Sequence, residues 1–264
     1  MINIHPLYSS SSGNMFHIES KKCNILIDAG VSYKAINEGL KCINKDISDI
    51  DAILITHEHI DHIKGLPLLC RKNDIPIYAC GKTADLIEDE LNEKNIKNNI
   101  FKTNYGQVYK IKDIEICPFE TSHDAVMPCG YKITSDGKTL TFATDLGYVS
   151  DEVFENLSAA DFVVLESNYD TTMLDFGKYP YLIKRRIKGN LGHLSNLDTA
   201  STLAKLSSKG INNFLLAHLS ENNNNKDIAI NTIYDTLKNY NIDIDNLNIN
   251  IASKHLSNEE YIVC

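Results

Sequence analysis

The chain has 264 residues, of which 43% are apolar and 23% charged, and its formal net charge is −9. That is enough chain and apolar side chain for a sizeable core, and residues 1–264 read as one large α/β domain. The acidic balance excludes nucleic-acid binding through the overall field, so any phosphate recognition has to be local.

Short apolar or alternating runs recur at the spacing of strands. In chain order they are Ile2–Tyr8, Asn14–Ile18, Asn24–Ile27, Ala52–Thr56, Pro76–Ala79, Ile114–Phe119, Gly130–Thr134, Thr139–Ala143, Phe162–Glu166, Asn213–Ala217 and Leu247–Ile251. Helical periods fall at Tyr33–Lys41, Lys64–Lys72, Lys82–Asn95, Asp151–Leu157, Tyr181–Lys188, Asn196–Lys209 and Lys226–Tyr240. Asp151 and Asn196 stand where helices start, Asp136-Gly137 reads as a hairpin turn, and Glu221–Asn225 reads as an exposed loop. Many strands with helices between and after them point to two sheets covered by helices.

The seven cysteines are odd in number and contain no C-x-x-C pair, which argues against a disulfide framework or a Cys-rich zinc site. Cys117, inside the apolar run Ile114–Phe119, reads as a buried free thiol, and free thiols fit the reducing cytoplasm. The start Met1–Leu7 lacks a charged head before an apolar stretch, and no window approaches about 18 apolar residues. Neither a signal peptide nor a membrane partner is expected.

The chemistry is concentrated in one run. Ala52-Ile53-Leu54-Ile55 is an apolar strand that ends at Thr56, and His57, Glu58, His59, Ile60, Asp61 and His62 follow at once. In a loop leaving a strand, residues two apart can converge on one point, while Asp61 and His62 open the next helix and face a neighbouring point. Imidazoles and a carboxylate suit zinc, manganese or iron. Four such groups in six positions, with more ligands arriving from elsewhere, exceed what one tetrahedral ion needs, which suggests two divalent ions. A polar surface loop is the competing reading, but three of the nine histidines fall within these six positions, directly behind a buried strand. His123, Asp145 and His218 each follow an apolar strand in the same way. Singly each would be an ordinary cap or loop residue; together they repeat one design, ligands at one edge of a sheet scaffold.

With Leu26-Ile27-Asp28-Ala29-Gly30 and the run Thr56–His62 added to His123, Asp145 and His218, the sequence resembles the metallo-β-lactamase superfamily. The resemblance implies a four-layer αββα sandwich. It assigns His57, His59 and His123 to one metal, Asp61, His62 and His218 to the other, Asp145 to a bridge between them, and Asp28 to the shell that orients the His loop. A narrower resemblance rests on Ser10–Asn14, Glu166–Asp170, Tyr179-Pro180, Lys184–Ile187, Gly192–Asn196 and Ala217–Asn223. It is to the YycJ/WalJ-like branch, whose members are regarded as 5′–3′ DNA exonucleases tied to DNA repair.

What that branch implies is a phosphodiesterase in which Asp61 and Asp145 serve the metal centre and His193 donates a proton to the leaving oxygen. DNA is the expected partner ahead of RNA, with repair or replication proteins as further partners by analogy. Lys184, Arg185 and Arg186, in the densest basic cluster, are candidates for phosphate contact, as are Ser11, Ser12 and Asn14 near the metal edge and Asn168 after the strand that ends in Glu166. The alternative readings are a small-molecule esterase, thioesterase or lactonase on the same centre, and a metal-stabilised binding module without turnover. Only 22 positions separate His123 from Asp145 and 48 separate Asp145 from His193. That leaves no room for the long arm of tRNA-processing relatives or the inserted domain of RNA-cleaving ones.

Overall fold

In the computed structural model, which describes residues 1–263, side-chain alternation along the strands sorts the apolar residues into three layers. The first half contributes β1 (Ile2–Ser10), β2 (Gly13–Glu19), β3 (Asn24–Ile27), β4 (Ala52–Ile55), β5 (Ile77–Cys80) and β6 (Ile100–Thr103). The second contributes β7 (Tyr109–Ile111), β8 (Ile114–Glu120), β9 (Cys129–Ser135), β10 (Lys138–Ala143), β11 (Phe162–Glu166), β12 (Asn213–Ala217) and β13 (Asn248–Ile251). The last strand, β14 (Tyr261–Val263), returns to the first sheet, so the two seven-stranded sheets run β14-β1-β2-β3-β4-β5-β6 and β13-β12-β11-β10-β9-β8-β7. Each is mixed: antiparallel where hairpins form it and parallel where helices cross over, as at β3-β4-β5-β6 and β10-β11-β12-β13.

Alternate residues of β4 show how the layers are made. Ala52 and Leu54 point between the sheets, beside Phe142 and Val164 from the other sheet. Ile53 and Ile55 point outward under helices α1 (Tyr33–Cys42), α2 (Ile60–Ile63), α3 (Leu66–Lys72) and α4 (Gly81–Glu93). The second sheet does the same beneath α5 (Asp151–Ser158), α6 (Thr171–Phe176), α7 (Tyr181–Ile187), α8 (Asn196–Ser207) and α9 (Lys226–Asn239), with α5, α8 and α9 supplying the apolar cover. The result is the expected αββα sandwich. Tyr131, fully buried in β9, donates its hydroxyl proton to the Ile55 carbonyl at 2.7 Å, and Cys129 N–H bonds the Thr56 carbonyl at 2.9 Å. The second sheet thereby anchors the end of β4 from which the His run departs.

Among the strands and α-helices, β6, β7, β14 and α6 lie outside the runs that the sequence patterns mark. The three strands lie at sheet edges, where one side of the ladder has no neighbour and side chains stay partly exposed. Such strands carry no apolar period to read, and tertiary pairing makes them. The helix expected over Lys64–Lys72 is α3, which starts at Leu66; the short α2 precedes it inside the His run, and between them at Gly65 a Cβ would come within 2.3 Å of the Val31 carbonyl. Asp136 and Gly137 turn the β9–β10 hairpin with φ of 52° and 74°, the left-handed pair that a two-residue turn requires. Among the described residues six cysteines are free, and Cys264 lies outside them. No described helix is long and apolar enough to cross a membrane.

Candidate metal centre

The strands that form the site end along one edge of the sandwich, and the backbone there is bent to order. Asp28, Asp145 and His218 follow β3, β10 and β12 with φ of 63°, 57° and 55°, a region that side-chain-bearing residues avoid at some cost. Each turn swings a polar side chain back over the sheet edge. Gly30 complements them by having no side chain. A Cβ there would lie 1.6 Å from the Asp61 carbonyl, so only glycine lets the chain after Asp28 pass beneath the His run.

Three donor groups converge, each with ligand atoms within 4.8 Å of one another: His57, His59 and His123; Asp61, His62 and His218; and His57, His62 and Asp145. The first two are the trios that the family resemblance assigned to separate ions, and the third places Asp145 between them. Three buried atoms in this cluster lack any hydrogen-bond partner: His57 Nε2, His218 Nε2 and Asp145 Oδ2. Orphaned donors and acceptors inside a protein are costly. Here the orphans sit among imidazole and carboxylate groups, the donor chemistry that divalent zinc, manganese or iron takes. The residues therefore fit a pair of divalent ions.

The other faces of these side chains are held by the protein. Asp28 accepts from Thr56 N–H at 2.9 Å and lies 2.7 Å from His62 Nδ1, which leaves His62 Nε2 for a metal. His57 Nδ1 meets Thr56 Oγ1 at 3.0 Å, and His123 Nδ1 donates to the Gly192 carbonyl at 3.1 Å. Glu58, the remaining polar residue of the run, turns away and accepts from Val126 N–H and the Thr83 hydroxyl.

Electrostatics divides the rings. Burial pushes His57 well below the ordinary histidine value, and it lowers His123 too. Burial also opposes a charge on His62 and His218, but carboxylates overrule it. Asp28 and Asp145 raise His62 well above its usual range, and Asp145, Asp61 and Glu166 raise His218 to about 10. Asp145 and Asp61 sit below the usual carboxylate range: burial works against them, and the surrounding imidazoles prevail.

Glu166, at the end of β11, is the functional residue to which sequence reasoning gave no role. It is fully buried. Its Oε1 lies 2.6 Å from His193 Nδ1 and 3.0 Å from His218 Nδ1, while Oε2 accepts from the N–H groups of Leu146 and Leu194. One carboxylate thus fixes a ligand and the ring proposed as proton donor. The signal was present, since an acid closing the otherwise apolar Phe162–Leu165 repeats the pattern that singled out Asp145. Asp124 is a second residue of this kind; its carboxylate faces His123 Nε2 at 3.5 Å and takes Arg186 in a two-pronged pair.

The remaining expected residues divide by location. A cleft of about 250 Å³ holds Ser11, Asn168, Arg186 and His193 together with the donors His59, Asp61, His123, Asp145 and His218. Asn168 is bound to His218, donating to its carbonyl at 2.9 Å. Asn14 is buried beneath the run, its amide 3.2 Å from His62 Nε2 and 3.4 Å from the Asp61 carbonyl, so it braces ligands. Ser12 bonds Glu221 at the rim. Lys184 and Arg185 lie on the far flank of α7, beside Asp175, outside that cleft.

Comparisons with known proteins bear on the family and the fold. A family profile described as "Beta-lactamase superfamily domain" matches residues 23–218. Over 84% of both chains the sequence is 41% identical to the Exodeoxyribonuclease YycJ of Bacillus anthracis. It is 40% identical to the Exodeoxyribonuclease WalJ of Streptococcus pneumoniae serotype 2, over 88% of this chain and 86% of that one. Among solved structures, the metallo-beta-lactamase fold protein YhfI from Bacillus subtilis superposes with a TM-score of 0.72 over 98% of both chains at 16% identity, a likeness of fold. This chain belongs to the beta-lactamase superfamily, in the branch of the YycJ and WalJ proteins.

Proposed function

We propose that the protein is a dinuclear metal-dependent phosphodiesterase that degrades DNA from the 5′ end. The observation that carries this reading is the pairing of His193 with Glu166 at 2.6 Å on the open side of a two-ion donor set, with Arg186 in the same cleft. The two relatives at 40–41% identity are named exodeoxyribonucleases, which supports DNA as the polymer.

Two divalent ions, when bound, supply Lewis acidity toward a phosphate oxygen and make a water acidic enough to attack near neutral pH. The chain's own groups do the rest. Glu166 accepts from His193 Nδ1 and leaves Nε2 as the nitrogen that hands a proton to the departing oxygen. Asp145, out of solvent and bent back over the sheet edge, holds the two donor trios in register. Arg186 presents a planar fork suited to phosphate. No observation favours the esterase, thioesterase or lactonase alternative. Free cysteines support a cytoplasmic setting, and residues 1–264 act as one catalytic domain.

The decisive experiment is digestion of 5′- and 3′-end-labelled DNA and RNA with Zn²⁺, Mn²⁺ and Fe²⁺, beside the Asp61→Ala protein. Nucleotides released first from the 5′ end of DNA, and not by the variant, are the expected result. A metal-loaded wild-type protein that leaves every nucleic acid intact overturns the reading.

A further inference from the structure

His57, His59, His62, His123, His193 and His218 account for six of the nine histidines, and His255 is exposed. The other two, His5 and His17, stand opposite each other across the β1–β2 ladder. Ile4, Phe16 and Ile18 take the face between the sheets, so strand alternation turns His5 and His17 to the outer face. Their neighbours there are apolar: Met15 on the same strand, and Leu26 of β3, in register with His17. Glu19, two residues after His17, shares that face. His5 is 7% exposed and His17 not at all.

The pairing brings donors together. Directly opposed residues on one face of an antiparallel pair have Cβ atoms about 5 Å apart, and the centres of these two rings are 5.4 Å apart. Donor atoms of His5, His17 and Glu19 come within 4.8 Å of one another, the limit that also gathers the catalytic trios. His17 Nε2 donates to the Asn24 side-chain carbonyl at 3.0 Å, which leaves Nδ1 a bare lone pair. That nitrogen and His5 Nδ1 are both buried without a hydrogen-bond partner. A ring that gives its one proton to a carbonyl and keeps the other nitrogen free is arranged as a metal-bound histidine is. Burial also favours the uncharged rings: it lowers His5, and it lowers His17 to about 4. The surrounding charges sum to a negative value. Lys45 holds one oxygen of Glu19 at 2.7 Å, and Glu260 lies 3.8 Å from His5 Nε2. About 13 Å of strand separates His5 from Ser9, whose hydroxyl accepts from the His218 N–H, so this cluster is separate from the catalytic donors.

We propose that His5, His17 and Glu19 form a second, structural metal site that takes one divalent transition ion of the zinc type. Two imidazoles and a carboxylate are donors that zinc takes, whereas magnesium and calcium call for oxygen throughout. The ion ties β1 to β2 and serves stability, not turnover. This inference does not rest on the nuclease reading.

The experiment loads metal-free protein with Zn²⁺, passes it through gel filtration in metal-free buffer and counts the retained ions by native mass spectrometry. Wild type should keep one ion more than His5→Gln/His17→Gln, whatever number the catalytic centre holds. Glu19→Gln, which keeps both rings, should weaken that ion by at least about tenfold in competition with a chelator. An anomalous diffraction map at the zinc edge should show a peak between the His5 and His17 rings, a result that stands even where the double variant fails to fold. In an Asp61→Ala/Asp145→Ala background zinc should still raise Tm, and adding His5→Gln/His17→Gln should abolish the rise. Equal zinc content in wild type and the folded double variant overturns the site. So does a peak in soaked crystals from an ion that gel filtration removes, which marks an adventitious ion only. A retained ion that leaves Tm unmoved overturns the structural role.

Discussion

The metal donors and helix α7 face each other across one cleft and are built by opposite rules. His57, His62, Asp145 and His218 are at most 3% exposed, each is held by a neighbouring group, and two of them occupy strained backbone. Helix α7 buries nothing and is fastened through ion pairs and a carbonyl contact at the surface, between Lys188 and Asp175, Arg186 and Asp124, and Lys184 and the Asp175 carbonyl. Surface pairs of that kind contribute little to stability. The difference follows from what each region has to do. Donor atoms must be placed to a fraction of an ångström, which rigid strand ends and second contacts provide. A flexible polymer can be gripped by a wall that adjusts.

If that division is right, damage to the floor should be far costlier than damage to the wall. The largest loss is expected from Asp145→Ala and Asp61→Ala, on the order of 10⁴-fold in kcat on DNA, because a catalytic unit fails as a whole. Metal analysis of the purified variants should find less than the full complement of ions. Either variant retaining near-wild-type turnover with full metal content breaks the proposed assignment. His193→Ala should follow, with a loss of about 10²–10⁴ in kcat, the worth of a positioned general acid. Its metal content should stay intact, since its Nδ1 is engaged by Glu166.

Legibility in the sequence followed the same line. Thr56–His62 was readable because its ligands are contiguous and leave an apolar strand, and the bracing role of Asp28 came with the family resemblance. His123, Asp145 and His218 were readable by repetition of that pattern. Glu166 followed the same rule, yet its role depends on a contact with His193 across 27 positions, which no local pattern encodes. Lys184, Arg185 and Arg186 read as one basic cluster, but helical geometry separates them. Arg186 enters the cleft while its two neighbours lie on the opposite flank, and one residue of rotation decides which. The two-sheet core was legible from strand periodicity, whereas β6, β7 and β14 at the edges were not.

Smaller effects sharpen the picture of the floor. Asp28→Ala removes the acceptor that orients His62 and should weaken metal binding by about 10–100-fold, measured by competition with a chelator while circular dichroism confirms the fold. Metal affinity should also depend on pH. In the metal-free protein, carboxylates raise His218 to about 10 and lift His62 well above its usual value, so both rings carry an extra proton at neutral pH. A metal takes the neutral ring, so binding releases protons and weakens as pH falls, by about tenfold per unit for each proton displaced. The dependence on His218 should flatten above its raised value. Titration calorimetry in buffers of different ionisation heat reads the release directly, and an enthalpy that ignores the buffer contradicts it.

The smallest effect lies on the wall, where the two partners of one ion pair should move the same quantity in opposite directions. The guanidinium of Arg186 is occupied by Asp124, with Nε on one carboxylate oxygen and a terminal nitrogen 3.0 Å from the other. A phosphate entering the cleft competes with that carboxylate for the fork. Asp124→Asn removes the competing charge and should lower KM for DNA by a few-fold at low salt, the scale of a partly exposed charge-assisted contact. Arg186→Lys forfeits the two-pronged grip and should raise KM by a similar factor. Neither should move kcat as far as His193→Ala does, because neither change touches the proton donor. A rise in KM in both variants makes Asp124 a support for Arg186 instead of its competitor. Losses confined to kcat instead place the pair in the chemistry, and the separation of floor from wall no longer holds at that residue.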